Sequence, residues 1–270
     1  MTYQQFLLRL LSSRALRPLG IGQRHLRSRT WVVEGGEGAG LKLRLPQNND
    51  YISGQSEIPV QRELARRVRP GDVIYDIGAN VGFFSLIAAR LVGHSGCVYS
   101  FEPVAENAAS TRENVRLNDL RNVTLFDIAV GRSSGNAELL LTEWDGGSSL
   151  STSAVKPTEP ISRRNVRVVA LDDIVAQEKL RQPSFVKIDV EGVELDVLHG
   201  MSATIANSRP ILLYEIDDGN KDSFQRRWSE LDAYVSDLGY DVTHLEASYS
   251  NVAWNVGHSL AIPRKDHSVN

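Results

Sequence analysis

Hydrophobic residues along the middle of the chain follow two alternating patterns. Short continuous apolar runs rich in β-branched and aromatic residues predict buried strands, and they occupy residues 72–77, 97–101, 123–130, 137–141, 185–188 and 211–216. Apolar residues at helical spacing predict helices between them, at 57–69, 83–92, 104–115, 193–198 and 224–235. Strands separated by helix-length segments are typical of βαβ units. We therefore predict an α/β fold with a doubly wound, mostly parallel sheet and helices on both faces.

Two segments depart from this alternation. The last predicted strands, near 241–246 and 252–262, have no helix between them, which predicts an antiparallel hairpin at one edge of the sheet. Residues 142–165 are dominated by Gly, Ser, Thr and Pro and form a connection longer than usual. Such a loop often serves as a lid or a substrate-recognition element. Trp144 and Gly147–Ser149 are then candidate acceptor contacts, and a plain surface excursion is the alternative.

The composition restricts the class of protein. With 41% hydrophobic and 23% charged residues, the 270-residue chain resembles an ordinary globular protein and not a disordered one. The single cysteine, Cys97, cannot form a disulfide within the chain, and it favours a reducing, cytoplasmic compartment. The sequence contains no apolar run long enough for a membrane span. The formal charge of −3 argues against a nucleic-acid binder, because such a protein needs basic residues to neutralise phosphates.

The charge is unevenly distributed. Residues 1–33 contain six arginines and no acid, so the other 237 residues carry a formal charge of −9. This basic leader has two interpretations: a targeting peptide, or a helical extension that packs on the domain or contacts anionic surfaces. We predict three regions, namely a basic extension with leading strands (1–55), the main α/β domain (56–262) and a tail (263–270).

The first predicted strand of the domain ends in an acid followed by a glycine-rich turn. Asp76 stands two residues before Gly78, and Gly82 closes the turn. This spacing differs from the G-x-G-x-x-G pattern of dinucleotide-binding folds. A carboxylate here would repel a pyrophosphate, and it suits a ligand with a cationic amino-acid end.

The next two strand ends also supply acids. Glu102 lies twenty residues after Gly82, where an acid can accept hydrogen bonds from both ribose hydroxyls. Asp127 could accept from an adenine amino group, with the small Ala129 leaving room for the ring. Together these acids fit S-adenosylmethionine better than NAD, and the alternative is that they only cap helices. The predicted cofactor-binding residues are Asp76, Gly78, Ala79, Asn80, Gly82, Phe83, Glu102, Pro103, Asp127 and Ala129.

Three blocks give the sequence a family resemblance: a first motif, an acidic strand end followed by asparagines, and a Lys-Ile-Asp-Val-Glu-Gly segment. They are Pro70–Gly82, then Phe101–Pro103 with Asn107, Asn114 and Asn118, then Lys187–Leu195 with Leu198, Gly200 and Glu215. In these blocks the chain resembles the FkbM-type family of S-adenosylmethionine-dependent methyltransferases over roughly residues 56–262. One departure is His199, where the family often has Arg or Lys.

The resemblance implies a seven-stranded, Rossmann-like class I methyltransferase fold and O-methylation of a hydroxyl. Known members of the family act on sugars, glycolipids and polyketide-type natural products. A small-molecule or glycan acceptor is therefore the expected partner.

A hydroxyl acceptor must lose its proton during methyl transfer, so we expect a base near the fourth and fifth strand ends. Asp189 is our first candidate for this base and Glu215 the second, with Lys187 as a neighbouring cation. Asp189 could instead bind the cofactor or cap a helix. A divalent metal held by Asp189, Glu191 or Glu215 is a further alternative, although no metal is expected.

Two other functions compete with methyl transfer. A nicotinamide-dependent oxidoreductase could use the same kind of sheet, but it predicts the G-x-G-x-x-G turn that the chain lacks. A non-catalytic cofactor-binding scaffold could recruit a partner through the basic leader.

Overall fold

A computed structural model describes residues 29–44, 49–141, 149–150, 153, 162–249 and 254–265. The strands are β1 (Thr30–Val32), β2 (Lys42–Arg44), β3 (Val73–Ile77), β4 (Cys97–Phe101), β5 (Val123–Phe126), β6 (Ala129–Gly131), β7 (Gly135–Leu141), β8 (Ser149–Leu150), β9 (Ser162–Ala170), β10 (Phe185–Ile188), β11 (Ile211–Asp218), β12 (Tyr240–His244) and β13 (Asn255–Pro263). The helices are α1 (Asn49–Ser53), α2 (Ile58–Arg67), α3 (Phe83–Val92), α4 (Ala105–Leu117), α5 (Leu171–Glu178), α6 (Glu194–Gly200), α7 (Ser202–Ser208) and α8 (Lys221–Asp237).

The central sheet has seven strands in the order β12-β13-β11-β10-β3-β4-β5. The strands from β11 to β5 pair in parallel, whereas β13 is antiparallel to both β11 and β12. This topology confirms the predicted mostly parallel sheet and the antiparallel hairpin at its edge. The carboxyl ends of β3, β4 and β10 therefore lie at one edge, where a ligand site is expected.

Each face of the central sheet carries its own hydrophobic core. Along β3, the side chains of Val73, Tyr75 and Ile77 pack on one face with residues of α5 to α8, while Ile74 packs on the other with residues of α2 and α3. A strand buried on both faces has no polar positions to alternate with its apolar ones. This is why four of the five residues of β3 are apolar; the exception, Asp76, is also buried.

A second, four-stranded sheet in the order β6-β9-β7-β8 follows β5. The single strand predicted at 123–130 is therefore two strands, β5 and β6, which belong to different sheets. Strand β9 begins at Ser162, inside the predicted loop 142–165. The first half of β9 is exposed and rich in arginine, so it lacks the apolar signal of a buried strand. Trp144, Gly147 and Ser148 lie outside the described residues.

The N-terminal hairpin of β1 and β2 is attached to the main domain through α4. Asn114 Oδ1 accepts a hydrogen bond of 2.7 Å from the backbone of Arg44. The side chain of Asn118 bonds both the N–H and the C=O of Lys42, at 2.8 and 2.7 Å. These amides give the two asparagines of the family-like motif a structural role. Among the residues that the structure describes, no helix has the length and apolar character needed to cross a bilayer.

Candidate active site

The turn after β3 packs directly against the end of β10. Gly78 has a positive φ of 85°, and a Cβ atom at this position would lie 1.7 Å from the carbonyl oxygen of Asp189. No side chain can be accommodated at such a separation, so glycine is required here for two independent reasons. The close approach fixes the predicted cofactor turn beside the predicted catalytic Asp189.

The Glu102 carboxylate joins the same turn to the end of β4. Its Oε2 accepts a hydrogen bond of 2.8 Å from the Asn80 backbone N–H, and its Oε1 accepts one of 2.8 Å from Val104 N–H. Burial raises the pKa of Glu102 to about 8, even though both backbone donors act in the opposite direction. Each carboxylate oxygen has a second lone pair, so Glu102 can still accept hydrogen bonds from a ligand.

A cleft opens where the turn, the end of β4 and the second sheet meet. The cleft is open to solvent, so a ligand can enter it from outside the protein. Five of the predicted cofactor-binding residues line it, and these are Gly78, Asn80, Glu102, Pro103 and Ala129. Ile128, Val130 and Leu139 add an apolar wall, and Leu139 comes from β7. The second sheet thus forms part of the cleft, which the sequence did not reveal.

The remaining predicted cofactor residues lie outside the lining of the cleft. Asp76 is buried below the turn, where Ser85 Oγ donates to its Oδ2 at 2.5 Å and burial raises its pKa. Its Oδ1 has no hydrogen-bond partner among the described residues. Phe83 is in the core against Tyr51, with ring centroids 4.9 Å apart. Ala79 and Gly82 lie in the turn backbone, with a 2.8 Å hydrogen bond from Gly82 N to Ala79 O.

Asp127 lies between β5 and β6 and points to the surface. Its side chain is 45% exposed and forms an ion pair with Arg112 on α4. In this position it is not among the residues that line the cleft. The proposed contact between Asp127 and an adenine amino group remains a prediction.

The first catalytic candidate forms a close ion pair at the end of β10. Lys187 Nζ lies 2.7 Å from Asp189 Oδ2, and the two side chains are 3% and 22% exposed. Lys187 also lies over the Phe84 ring, 4.8 Å from its centroid. Burial lowers the pKa of Lys187, but the negative charges of Asp189, Asp76 and Glu57 outweigh it and raise the pKa overall. Lys187 is enclosed by protein, while Asp189 remains accessible to a ligand.

The second catalytic candidate belongs to a three-residue cluster. Glu215 on β11 and His258 on β13 are directly opposite in the antiparallel register, and Glu215 Oε2 lies 2.6 Å from His258 Nε2. Glu57, immediately before α2, places its Oε2 3.3 Å from the same nitrogen. Burial lowers the pKa of His258, but the two carboxylates outweigh it and raise the pKa overall. Burial raises the pKa of Glu215.

The sequence analysis missed both Glu57 and His258. Glu57 has a positive φ of 45°, uncommon for a residue other than glycine, and no local motif marks it. His258 stands in an apolar strand, and only the register between β11 and β13 places it against Glu215. Long-range pairing of this kind leaves no local signal in a single sequence.

A further pair of acids borders the cleft. Glu191 lines the cleft and has a positive φ of 55°. Burial, followed by the nearby Asp217, raises its pKa well above the usual value. Asp217 in turn accepts a hydrogen bond of 2.6 Å from Trp254 Nε1. Ser153, from the predicted recognition loop, donates a 2.7 Å hydrogen bond to the carbonyl oxygen of Glu191, so this residue of the loop contacts the rim of the cleft.

Comparison with known proteins places this arrangement in a family. Residues 76–242, more than half of the chain, match the family described as the Methyltransferase FkbM domain. Hexuronic acid methyltransferase AglP of Haloferax volcanii is 26% identical over 165 residues, 61% of this chain and 64% of AglP. The 2-O-methyltransferase NoeI of Sinorhizobium fredii is 28% identical over 188 residues, 63% of this chain and 76% of NoeI.

One solved structure also aligns with part of this chain. The crystal structure of Methyltransferase FkbM from Methylobacillus flagellatus aligns with a TM-score of 0.49 at 18% identity, covering 75% of this chain and 50% of that one. This chain spans less than two thirds of the length of AglP. The family match includes the turn after β3, Glu102, the Lys187–Asp189 pair and Glu215, and it rules out the nicotinamide-dependent alternative. The chain therefore belongs to the FkbM family of methyltransferases.

Proposed function

We propose that the protein transfers a methyl group from S-adenosylmethionine to a hydroxyl group of a sugar-containing acceptor. One observation carries the proposal: the cleft bounded by Gly78, Asn80 and Glu102 lies next to Asp189. A nucleoside site and an accessible carboxylate are thus neighbours at one edge of the sheet, as methyl transfer to a hydroxyl requires.

Different residues of the cleft bind different parts of the cofactor. Glu102 accepts hydrogen bonds from the ribose hydroxyls through its unused lone pairs. Ile128, Ala129 and Leu139 surround the adenine ring, where apolar burial favours a flat heterocycle. The backbone of the turn at Gly78 lies next to the amino-acid end, whose ammonium group is attracted by nearby carboxylates.

Asp189 acts as the general base in this proposal. It accepts the proton of the acceptor O–H group while that oxygen forms a bond to the methyl carbon. The carbon–sulfur bond breaks with its electron pair going to sulfur, so a positively charged sulfonium becomes a neutral thioether. Lys187 holds Asp189 in place through their 2.7 Å contact. Glu215 is the second candidate for the base, because its oxygens belong to the adjacent cluster.

The acceptor class is supported by the relatives. AglP is described as a hexuronic acid methyltransferase and NoeI as a 2-O-methyltransferase. A saccharide with free hydroxyls is the acceptor that both descriptions favour. We place the reaction in the reducing cytoplasm, since Cys97 is the single cysteine and is free. The basic leader would allow contact with an anionic surface, and residues 1–28 lie outside the described part of the chain.

Two measurements test the proposal. Isothermal titration with S-adenosylhomocysteine is expected to show one site per chain, and NADH is expected to show none. Radiolabelled methyl transfer is then measured with uronic acids and neutral sugars, and with the same sugars fully O-methylated as controls. We expect label only on the free sugars. Absence of S-adenosylhomocysteine binding would contradict the cofactor assignment. Binding without transfer to any saccharide would favour the non-catalytic scaffold.

A further inference from the structure

We propose that Glu57, Glu215 and His258 bind a divalent first-row metal ion beside Asp189, and that this ion takes the acceptor hydroxyl as a further ligand. The metal site stands on the geometry of the cluster alone. Its role in the reaction rests on the proposed function.

The three side chains converge on one small space. One ligand atom from each, two carboxylate oxygens and one imidazole nitrogen, lies within 4.8 Å of the other two. They come from three separate elements, since Glu57 precedes α2, Glu215 is on β11 and His258 is on β13. All three elements pack into the body of the domain, so the positions of the ligands are fixed. Three protein ligands with one position left open are typical of catalytic metal sites.

The inner atoms of the cluster lack aligned hydrogen bonds. His258 is 1% exposed, and its Nε2 has no partner of hydrogen-bond geometry among the described residues, although two carboxylates lie nearby. Glu57 is 6% exposed, and its Oε2 likewise has no such partner. Buried polar atoms without a hydrogen bond are rare and costly. These two atoms lie 3.3 Å apart, and a metal ion that binds both would satisfy both at once.

The other polar atoms of His258 and Glu57, which face away from the cluster, also have hydrogen-bond partners. Ser248 Oγ lies 3.3 Å from His258 Nδ1, and Tyr249 Oη donates to Glu57 Oε1 at 3.4 Å. A proton on Nδ1 directed at Ser248 leaves the Nε2 lone pair free for a metal. Supporting hydrogen bonds to the far side of each ligand are the usual second layer of a metal site.

The charges of the surrounding groups also favour a cation. The ionisable groups around the cluster include four buried or half-buried carboxyl groups and two cations, Lys187 and His258. The four acids are Glu57, Asp76, Asp189 and Glu215. With His258 neutral, as metal binding through Nε2 requires, the four carboxylates and Lys187 sum to a charge of −3, and one divalent ion would reduce it to −1. Such an excess in a buried site is otherwise unfavourable.

The ion would act on the acceptor and not on the cofactor. A hydroxyl group coordinated to a divalent metal loses its proton more readily, because the metal stabilises the alkoxide. In the resulting step the O–H bond breaks and Asp189 takes the proton. The alkoxide oxygen then forms its bond to the methyl carbon as the carbon–sulfur bond breaks.

Metal binding is measured directly on the full chain. The protein is stripped with EDTA, freed of chelator and titrated with Mn²⁺, with the free ion followed by electron paramagnetic resonance and Zn²⁺ used as a competitor. We expect one Mn²⁺ per chain. His258→Gln and Glu57→Gln should each weaken binding roughly tenfold or more. The matched control is His244→Gln, because His244 Nε2 also contacts a carboxylate, Asp232 Oδ2 at 2.6 Å, but pairs with Ser259 and so faces the opposite side of the sheet from His258.

The outcomes separate the site from the function. Failure of the wild-type protein to bind Mn²⁺ or Zn²⁺ stoichiometrically overturns the site, as does unchanged affinity in folded His258→Gln and Glu57→Gln. Circular dichroism establishes folding, and wild-type binding decides the question if a variant does not fold. Binding of S-adenosylhomocysteine without metal binding overturns this inference and leaves the proposed function intact. Full methyl transfer after chelation overturns the catalytic role of the ion.

Discussion

Replacing Gly78 with alanine tests whether the contact between the β3 turn and the β10 end supports both stability and cofactor binding. The new Cβ atom would lie 1.7 Å from the Asp189 carbonyl oxygen, whereas real Cβ contacts are essentially never below 3.0 Å. The two segments would therefore have to separate by about 1.3 Å. Because Gly78 lines the cleft and Asp189 is the proposed base, this displacement affects both partners of the reaction.

The expected cost has two parts. An alanine at a φ of 85° is placed in a left-handed conformation, which costs about 1–2 kcal/mol. Forcing atoms into a packed region typically costs about 1–3 kcal/mol more. We expect Gly78→Ala to lower the free energy of unfolding by about 3 kcal/mol in total.

Two other glycines separate these parts. Gly40 has a φ of 84° and no atom within 4 Å of an added Cβ, so Gly40→Ala reports the conformational cost alone. Gly135 has neither a positive φ nor a close neighbour, so Gly135→Ala should be nearly neutral. Urea unfolding of the three variants gives their stabilities, and titration with S-adenosylhomocysteine gives their affinities. If Gly78→Ala destabilised the protein no more than Gly40→Ala and bound the ligand normally, the argument from close packing would be wrong.

Three further predictions concern the acids. Glu102→Gln should weaken S-adenosylhomocysteine binding by about 1–3 kcal/mol, because a hydroxyl of the ribose loses its acceptor. Glu106→Gln, an exposed change nearby, should leave the affinity unaltered in the same titration. Folding raises the pKa of Glu102 from about 4.5 to about 8, so the protonated carboxyl group stabilises the folded protein. This stabilisation is complete below pH 4.5 and is lost as the pH rises through 8. The difference in unfolding free energy between the wild type and Glu102→Gln should therefore become smaller as the pH rises from 5 to 8.5. A difference that did not change with pH would contradict the raised pKa of the buried Glu102 carboxyl group. Asp189→Asn should lower turnover while sparing cofactor affinity, with some loss of stability because buried Lys187 loses its ionic partner; full activity would show that another group is the base.

Local sequence patterns predicted the elements that are buried on both faces. The apolar run at 97–101 is β4 and the one at 185–188 is β10, each with the predicted bounds. Most residues of such a strand are apolar, with Ser100 in β4 and Lys187 in β10 as buried exceptions, so its limits are visible in the sequence. The second sheet was not predicted because β9 is partly exposed, and an exposed strand has no continuous run of apolar residues in the sequence.

The candidate site was predictable where a strand end meets a turn. Glu102 and Gly78 follow strands directly, and the rule that ligands bind at carboxyl ends is sufficient to bring them together. The cluster around Glu215 was not predictable in this way. Its partners Glu57 and His258 lie outside residues 76–242, the part of the chain that matches the family. Their positions depend on pairing between distant segments.

β13 follows the other described strands and helices in the sequence, so it is synthesised after them. Every residue that lines the cleft precedes β13 in the chain, so all of them leave the ribosome before His258 does. Only when β13 inserts between β11 and β12 does His258 reach Glu215. The residues that line the cleft are therefore synthesised before the imidazole that completes the cluster with Glu57 and Glu215.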